Sequence, residues 1–461
     1  MGQIWAIARN LMVEVARMRA LMIFLALLLA GCTLGFALWL HGGAGPIDQK
    51  VQTFLSYSLS FVFHILALLT IFISIATITR DIKRQEIHTI TTKPISRGRF
   101  LVGKFLGLVL LNLILLSVSG AAIYTLARIL PHAKSYGNDE LARLNELVFN
   151  ARRGVTPPLP DIAQQVRQEV EQEVEQKIQE EHMTEPAQIA AMRQVLTSDK
   201  TNQIMQRYRS VEPGSHIIWH FTGIKSLDRE KGNIYLRYKQ EVSPTPLDLA
   251  TTGQWFYGPT EDVLYSGASR ITRDVVRTVH EFPIPARTAS SEGDLYVAYR
   301  NLPLNYPVVI IYPSESRYDN SIELLYKAGN FNGNFLRTLG ACYLRLVFLS
   351  LLGLALGAWL SFPVAVLGLL VVFVIGLSSN FIAEAVEWDA GKNAFSFAKI
   401  IMPAFPKFAA YDPVPQIEKG RLVPYQMLRD CFFFLVLIKG GLAGLFGYLI
   451  FKFRELARVI V

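Results

Sequence analysis

The chain has 461 residues, of which 51% are hydrophobic and 18% are charged, and its mean hydropathy is +0.30. These proportions exclude a typical soluble protein, and the apolar residues cluster in runs of about the 20 residues that cross a bilayer. The net charge of +9 does not indicate nucleic-acid binding, because residues 131–336 carry 22 basic and 26 acidic side chains and the remaining basic excess borders apolar runs.

The first twenty residues interleave apolar and basic positions at near-helical spacing, which predicts a helix lying on the membrane interface. An alternative is a lipoprotein signal peptide that ends at Cys32, in the sequence Leu-Ala-Gly-Cys. The apolar run continues beyond that cysteine to Leu40, whereas a lipid-anchored protein would begin with a polar tether. A retained membrane span fits the sequence better.

Six apolar segments predict six transmembrane helices, which places both termini on one side of the membrane. We expect Arg337 and Arg345, in the outer third of the fourth segment, to reach the lipid headgroups. The segments are Ala20–Leu40, Phe54–Ile78, Phe105–Ile129, Leu336–Leu360, Val364–Ala383 and Cys431–Phe451.

Basic residues distinguish the two membrane faces. The N-terminal segment, the loop after the second span and the C-terminal tail are rich in Arg and Lys, whereas the other short loops are weakly charged or balanced. By the positive-inside rule the basic segments are cytoplasmic, and residues 41–53, 131–336 and 384–430 lie outside. The sequence therefore predicts a multi-pass protein of the bacterial plasma membrane with an extracytoplasmic domain at 131–336.

The extracytoplasmic domain is predicted to combine helices with a β-sandwich. Within 138–209, apolar residues recur every four positions from Ile162 to Ile178, and a second helical stretch follows Glu185-Pro186. These two helices form either a structural hairpin, the preferred interpretation, or a coil that binds a partner. From 215 to 330, short aromatic or alternating runs are punctuated by Gly, Pro, Asn and Asp, which predicts an antiparallel β-sandwich.

Aromatic residues of this β segment, Trp219, Trp255 and Tyr296, suit either ligand binding or the core, and the core is preferred. The chain has three cysteines, Cys32, Cys342 and Cys431, and each lies within or at the edge of an apolar run. We therefore expect the extracytoplasmic domain to fold without disulfides. No Cys/His cluster has the spacing of a zinc site.

The segment between the second and third spans, RDIKRQEIHTITTKPISRGRFLVGKFLG (80–107), is short, basic and interrupted by Pro94 and Gly98. A short element connected to two transmembrane helices is mechanically suited to transmit a force from a soluble partner to those helices. Its run from Glu86 to Arg97, followed by Gly103-Lys104, resembles the coupling region of type-2 ABC transporter permeases, particularly the branch that includes the nitrous-oxide-reductase maturation permease. The opening IARNLMVEVARMRALMIFLALLL, the turn LSFPVA (360–365) and the ending IFKFRELA (450–457) are similar to that branch as well.

The resemblance implies two permease copies, identical or paired with a paralogue, and two ABC ATPase subunits that bind ATP and Mg. The chain itself has no Gly-x-x-x-x-Gly-Lys-Ser/Thr sequence, so we expect no cofactor, no catalytic site and no enzymatic activity in it. Residues 131–336 depart from the resemblance, since family members usually have a short loop there. We expect Lys104 at the inner headgroups. The residues assigned to ATPase coupling are Arg80, Asp81, Arg84 and Glu86 for polar docking, Ile87 and Ile90 as apolar anchors, Pro94 at the bend, and Lys93 and Arg97 beside it.

Four polar residues fall within or beside the apolar spans: His64, Asn112, Asn380 and Lys439. A lysine at mid-bilayer costs about 2.5 to 3.5 kcal/mol, so Lys439 should face protein or water. It either belongs to a substrate path or relay, or it forms a buried ion pair or a hydrogen bond with Asn112, Asn380 or Glu384. Small-residue motifs at 353–357 and 440–444 permit close helix packing, either inside one subunit or between two.

The favoured function is the transmembrane permease subunit of an ATP-driven ABC-2 type transporter, which couples a separate ATPase to substrate export or movement. One alternative is a mechanotransmitter that moves its extracytoplasmic domain without transport. The other is an anchored binding or assembly protein that contacts an extracytoplasmic protein or glycan. We also expect the chain to contact membrane lipid, and we expect it not to bind nucleic acid.

Overall fold

A computed structural model of the chain divides into two compact units. The membrane unit comprises Met1–Ala151 and Gly329–Val461, and the inserted unit comprises Arg152–Ala328. The structure describes residues 2–18, 22, 26–27, 31, 46–83, 96–132, 136–158, 161–181, 185–225, 230, 232–243, 250–303, 307–312, 314–315, 319–320, 322–388 and 402–453.

The protein is mostly helical, and the β-strands that the structure describes lie in the middle of the chain. The helices are α1 Gly2–Ala16, α2 Ile47–Lys83, α3 Arg97–Ile129, α4 Asn138–Leu147, α5 Ala163–Glu181, α6 Pro186–Arg209, α7 Phe331–Trp359, α8 Phe362–Leu377, α9 Ser379–Trp388, α10 Val414–Glu418 and α11 Tyr425–Phe453. The strands are β1 Asn150–Val155, β2 Ser210–Val211, β3 His216–Phe221, β4 Asn233–Lys239, β5 Glu241–Ser243, β6 Ala250–Gly258, β7 Ala268–Val275, β8 Val279–Pro285, β9 Leu295–Leu302, β10 Val309–Ile311, β11 Ser314–Glu315, β12 Asp319–Asn320 and β13 Ile322–Asn330.

Four described helices are long and apolar enough to cross a membrane: α2, α3 with its 3-10 extension to His132, α7 and α11. They correspond to the predicted second, third, fourth and sixth spans. The predicted fifth span is divided, because the 16-residue α8 ends before Ser378 and α9 follows. The predicted first span falls almost entirely outside the described residues. Six transmembrane helices therefore stay a prediction.

Small residues allow the helices of the membrane unit to pack closely. A Cβ added to Gly353 of α7 would overlap the Ser74 hydroxyl of α2, and one added to Gly447 of α11 would lie 2.6 Å from Ala355 Cα of α7. Both glycines are therefore used inside one subunit, where backbones must approach closely. Gly353 belongs to the first of the two small-residue motifs, and packing inside one subunit accounts for its position without a second copy. In the second motif, Cβ atoms added to Gly440 and Gly444 would face Leu351 of α7.

Residues 402–424, predicted as part of an outer loop, pack into the membrane unit. Phe408, Ile417 and Val423 are fully buried. Asn334 of α7 holds this segment in place, since its amide donates to the Arg421 carbonyl (2.6 Å) and its oxygen accepts from the Val423 amide (2.7 Å). The predicted loop thus supplies core residues, because its apolar side chains find a surface that only the folded helices provide.

Helix α4 belongs to the membrane unit, although its sequence was assigned to the extracytoplasmic domain. Leu144 and Val148 are buried in the core that α2 and α7 share. Arg143 also lies 3.6 Å from the carboxylate of Asp48 at the start of α2. The predicted boundary at residue 131 therefore differs from the compact inserted unit, which begins at Arg152.

In the inserted unit, α5 and α6 pack against each other as a helical hairpin. The four-residue stripe of α5 contributes Val166, Val170 and Val174, and α6 contributes Leu196 and Ile204. Lys200 binds Glu173 across the pair at 2.8 Å, and this hydrogen bond lowers the pKa of the glutamate and raises that of the lysine. The apolar stripe is therefore covered within the chain.

The β segment forms two four-stranded sheets, in the orders β1-β13-β4-β8 and β3-β9-β6-β7, with a three-stranded sheet β2-β10-β5 and a short β11-β12 pair. In the second sheet, Trp255 of β6 lies opposite Tyr299 of β9 in antiparallel register. One hydrophobic core takes side chains from both four-stranded sheets, including Leu236, Phe282, Trp255 and Val297. The runs identified in the sequence form β3–β6, β8–β10 and β13.

Candidate functional site

One end of the membrane unit holds a cluster of ion pairs from three helices, here called the ion-pair cluster: Glu14 of α1, Arg80 and Asp81 of α2, and Lys104 of α3. Arg80 donates to Glu14 at 2.7 Å, and the Lys104 ammonium lies 2.8 Å from Asp81 and 3.8 Å from Glu14. Residues 84–95 connect the two helices that supply Asp81 and Lys104. The cluster therefore joins the ends of α2 and α3 on either side of that connection.

The central pair of this cluster is buried. Asp81 and Lys104 are each 4% exposed. Removing two charges from water costs several kcal/mol per ion, which is recovered only when each charge has close partners. Loss of either partner would leave the other charge buried between the helices without this counter-ion. The pair thus makes the relative position of α2 and α3 specific at this end of the bundle.

Arg97, at the first turn of α3, fastens the end of α11. Its guanidinium donates to the carbonyls of Phe451 (3.1 Å) and Lys452 (2.7 Å), which belong to the last turn of that helix that the structure describes. Arg99 reaches back to Gln3 of α1 at 3.4 Å. The ends of α1, α2, α3 and α11 that carry basic residues are therefore gathered at one end of the membrane unit.

The predicted coupling residues divide into two groups. Asp81 is buried against Lys104, so its carboxylate is not presented to a docking partner, and Lys104, expected at the inner headgroups, is enclosed between the helices. Arg80 is about one-third exposed while paired with Glu14, and Arg97 is half-buried. The remaining predicted coupling residues lie outside the described part of the chain: Arg84, Glu86, Ile87, Ile90, Lys93 and Pro94.

Asn112, one of the predicted intramembrane polar residues, connects three helices. Its oxygen accepts from Thr70 of α2 (2.9 Å), and its amide donates to Ser350 of α7 (3.2 Å). All three side chains are buried. Thr70 also bonds to the Leu66 carbonyl and Ser350 to the Leu346 carbonyl. The polar atoms of Asn112 are thus used to hold helices together.

The other three polar residues do not join Asn112. The His64 ring is exposed and bonds at 2.6 Å to the Ser60 carbonyl of its own helix, and Asn380 is exposed on α9. The Lys439 ammonium donates to the carbonyl of Phe405, within the packed segment before α11. Lys439 therefore has a hydrogen-bond partner, as expected for a lysine in an apolar span, and that partner is a backbone carbonyl. It lies in a π-helical stretch, Cys431–Gly440.

A buried arginine that the sequence placed near the headgroups is part of the core. Arg345 of α7 is 1% exposed, its guanidinium lies 3.1 Å from Asp412, and its carbon Cζ lies 3.7 Å from the ring centroid of Phe63. The expectation that Arg345 reaches the headgroups is wrong, because the segment before α11 brings an acid to it inside the protein. Arg337 instead covers the Tyr425 ring, at 3.9 Å.

Of the three aromatic residues that the sequence assigned to the core, Trp255 lies in the main core of the inserted unit, Trp219 packs partly buried against that core, and Tyr296 packs partly buried against a second, smaller cluster. Trp255 is fully buried and packs on Tyr238 and Tyr299 at centroid distances of 4.5 and 4.7 Å, and Trp219 packs on Tyr312 at 4.9 Å. Burial raises the pKa of Tyr238, Tyr299 and Tyr312, so all three phenols stay protonated. Tyr238 donates to Asp274 at 2.7 Å. This cluster is therefore a packed interior.

The described residues contain no group of three or more His, Cys, Asp or Glu side chains suited to a metal ion. Comparison with family models, curated proteins and solved structures finds no match to this chain. The ion-pair cluster and the buried polar contacts of α2, α3 and α7 are therefore the features on which a functional proposal has to rest.

Proposed function

We propose that this chain is the membrane subunit of an ATP-driven, type-2 ABC assembly, in which a separate ATPase drives movement of the transmembrane helices. The ion-pair cluster carries the proposal. It ties the end of α2 to the start of α3 across residues 84–95, so that a force applied to this connection acts on both helices together.

The surrounding contacts support the same role. Arg97 at the start of α3 fastens the end of α11, and Glu14 brings α1 to the cluster. Deeper in the unit, Asn112 links α3 to α2 and to α7. A displacement at the cluster would therefore move several helices as one body, which is what coupling to a soluble motor requires.

A second candidate function, mechanotransmission without transport, is favoured by how the polar groups are used. Asn112, Arg345 and Lys439 each bond within the chain, and the cavity found between α3, α7 and α11 is lined by apolar residues and glycines. In this reading the ATPase moves the inserted unit, a helical hairpin with a β-sandwich, against an extracytoplasmic protein or glycan.

The test of the proposal is co-purification of an ABC ATPase subunit with this chain after mild detergent extraction. Charge reversal of the connection, by Glu86→Arg or Arg84→Glu, should weaken co-purification of the ATPase and leave membrane insertion intact, because like charges would oppose each other at the docking surface. Glu180→Arg, on the exposed face of α5, is the control. Full binding and full stimulated ATP turnover in both reversals would refute the assignment.

Lys439→Met separates the two candidate functions. If Lys439 lies on a cargo path, the variant should retain the ATPase but lose the part of ATP turnover that depends on substrate. If the chain is a mechanotransmitter, turnover should be unchanged, and the stability of the protein should be unchanged or slightly higher because a partly buried charge has been removed.

We further propose a location in the bacterial plasma membrane with both termini cytoplasmic and the inserted unit outside. Basic residues at the gathered ends of α1, α2, α3 and α11 support this orientation, since such residues remain on the cytoplasmic side. Single cysteines introduced near Ser291 should react with an impermeant reagent in intact cells, and those near Lys93 should react only after permeabilisation. The opposite pattern would overturn the topology.

A further inference from the structure

An apolar groove lies on the membrane unit between α3, α7 and α11, with a volume of about 420 Å³. Gly98 and Val102 of α3, Leu351 of α7, and Gly441, Gly444 and Tyr448 of α11 line it. Tyr448 comes seven positions after Gly441, so the groove extends about 10 Å along α11. A groove of this shape in a transmembrane unit fits a hydrocarbon chain.

The groove ends beside a group of basic side chains, here called the basic rim: Arg97, Arg99 and Lys452. Arg97 and Arg99 flank Gly98, whose position faces the Tyr448 ring (3.3 Å from an added Cβ), and Lys452 follows Tyr448 by one helical turn. Arg97 is held against the end of α11 by its bonds to Phe451 and Lys452. Arg99 and Lys452 are exposed.

The rim is electrostatically suited to a phosphate group. A guanidinium has five N–H donors, and among the described residues Arg97 uses those of one nitrogen for the two carbonyls of α11. The rim also stands at the N-terminus of α3, where the helix dipole favours negative charge. Each Lys or Arg near the membrane surface contributes about 1 kcal/mol to the attraction of an anionic lipid.

We propose that the groove and the basic rim together bind one anionic phospholipid, with an acyl chain between α3, α7 and α11 and its phosphate at Arg97, Arg99 and Lys452. Charge complementarity selects this occupant over a second copy of the chain. A two-fold dimer brings the same surface of each copy together, so it would place one basic rim against the other. The inference does not depend on an ATPase partner.

The experiment measures lipid binding to the purified full-length protein by native mass spectrometry, with phosphatidylglycerol and phosphatidylcholine as the two probes. Arg99→Gln with Lys452→Gln removes two rim charges and preserves the Arg97 contacts that fasten α11. Arg9→Gln with Lys83→Gln removes two exposed charges elsewhere on the same unit. The rim variant should bind phosphatidylglycerol at least about 10-fold more weakly, with phosphatidylcholine unchanged, and the control should match the wild type.

A second pair of variants tests the groove. Neither Gly441 nor Gly368 of α8 has an atom within 4 Å of an added Cβ, so each accepts a side chain without a clash. Gly441→Leu should reduce retention of both lipids, whereas Gly368→Leu should not. Size-exclusion chromatography and a thermal melt will show whether the rim variant folds. If it does not fold, the two glycine variants still test the proposal.

Three results would overturn the proposal. The first is equal phosphatidylglycerol affinity in the rim variant and its charge control. The second is unchanged lipid retention in Gly441→Leu. The third is efficient disulfide formation between two copies of Tyr448→Cys in lipid nanodiscs, which would show that the groove faces a second copy.

Discussion

The guanidinium of Arg345 lies 3.1 Å from the carboxylate of Asp412, although 67 positions separate the two residues in the chain. The arginine side chain is 1% exposed, whereas the aspartate side chain is 34% exposed. The pair therefore joins α7 to the packed segment before α11, and it places a cation against the Phe63 ring of α2. The contribution of this pair to the stability of the fold can be measured by replacing Asp412, which is the more exposed of the two partners.

We predict that Asp412→Asn destabilises the protein by about 2 kcal/mol. Breaking a fully buried pair costs about 3 to 5 kcal/mol, and the cost is lower here because water reaches Asp412. The asparagine preserves the oxygen that accepts from the Val414 amide. Thermal unfolding in detergent measures the effect. Asp430→Asn, which removes the exposed pair with Arg429, should change stability by at most about 1 kcal/mol.

The buried pair of the ion-pair cluster should be more sensitive. Asp81→Asn is expected to cost about 3 kcal/mol, since the carboxylate that remains beside Lys104 among the described residues, Glu14, is more distant, at 3.8 Å. Combining Asp81→Leu with Lys104→Met should recover most of the stability, because no buried charge remains. A double variant that melts below Asp81→Asn would show that the charges themselves are needed.

Asn112→Leu should have a smaller effect, about 0.6 to 1.7 kcal/mol, the range for hydrogen bonds between transmembrane helices. The hydroxyls of Thr70 and Ser350 keep their bonds to carbonyls one turn earlier in their own helices, so neither is left unsatisfied. Asn380→Leu, at an exposed position of α9, is the matched control. Equal melting temperatures for wild type and Asn112→Leu would contradict the role assigned to Asn112.

The inserted unit should fold alone over residues 152–328, because it has its own core and contains no cysteine. Circular dichroism should show a cooperative thermal transition that does not respond to reducing agent. Trp255→Ala should lower stability by about 3 to 5 kcal/mol, the usual cost of truncating a buried tryptophan. A broad, non-cooperative melt of the wild-type fragment would mean that the fold needs the membrane unit.

The stability of this fragment should also depend on alkaline pH. Burial raises the pKa of Tyr238, Tyr299 and Tyr312 in the folded state, whereas unfolded tyrosines titrate near about pH 10. Below that pH the three tyrosines are protonated in both the folded and the unfolded state, so the contribution of the buried phenols to the free energy of unfolding is fully present. Above it the unfolded state loses protons first, so stability falls as pH rises. Urea melts between pH 8 and 11 will measure this, and a flat profile would contradict buried phenols.

The sequence by itself determined the helices long enough to cross a bilayer, the paired helices of the inserted unit and most of its strands. These features follow from local properties: a run of apolar residues, a four-residue stripe such as Val166, Val170 and Val174, and alternation bounded by turn residues. Because hydrophobic length and periodicity act within one element, no knowledge of its neighbours is needed.

Only the tertiary structure decided how the charged and polar residues are used. Lys104 and Arg345 were expected near the headgroups from their positions in the chain, but each is buried beside an acid, Asp81 or Asp412. The partner in each case comes from a different element, and burying a charge is tolerated only where such a partner is present. A single sequence does not reveal that pairing, because it depends on which helix faces are brought together when the chain folds.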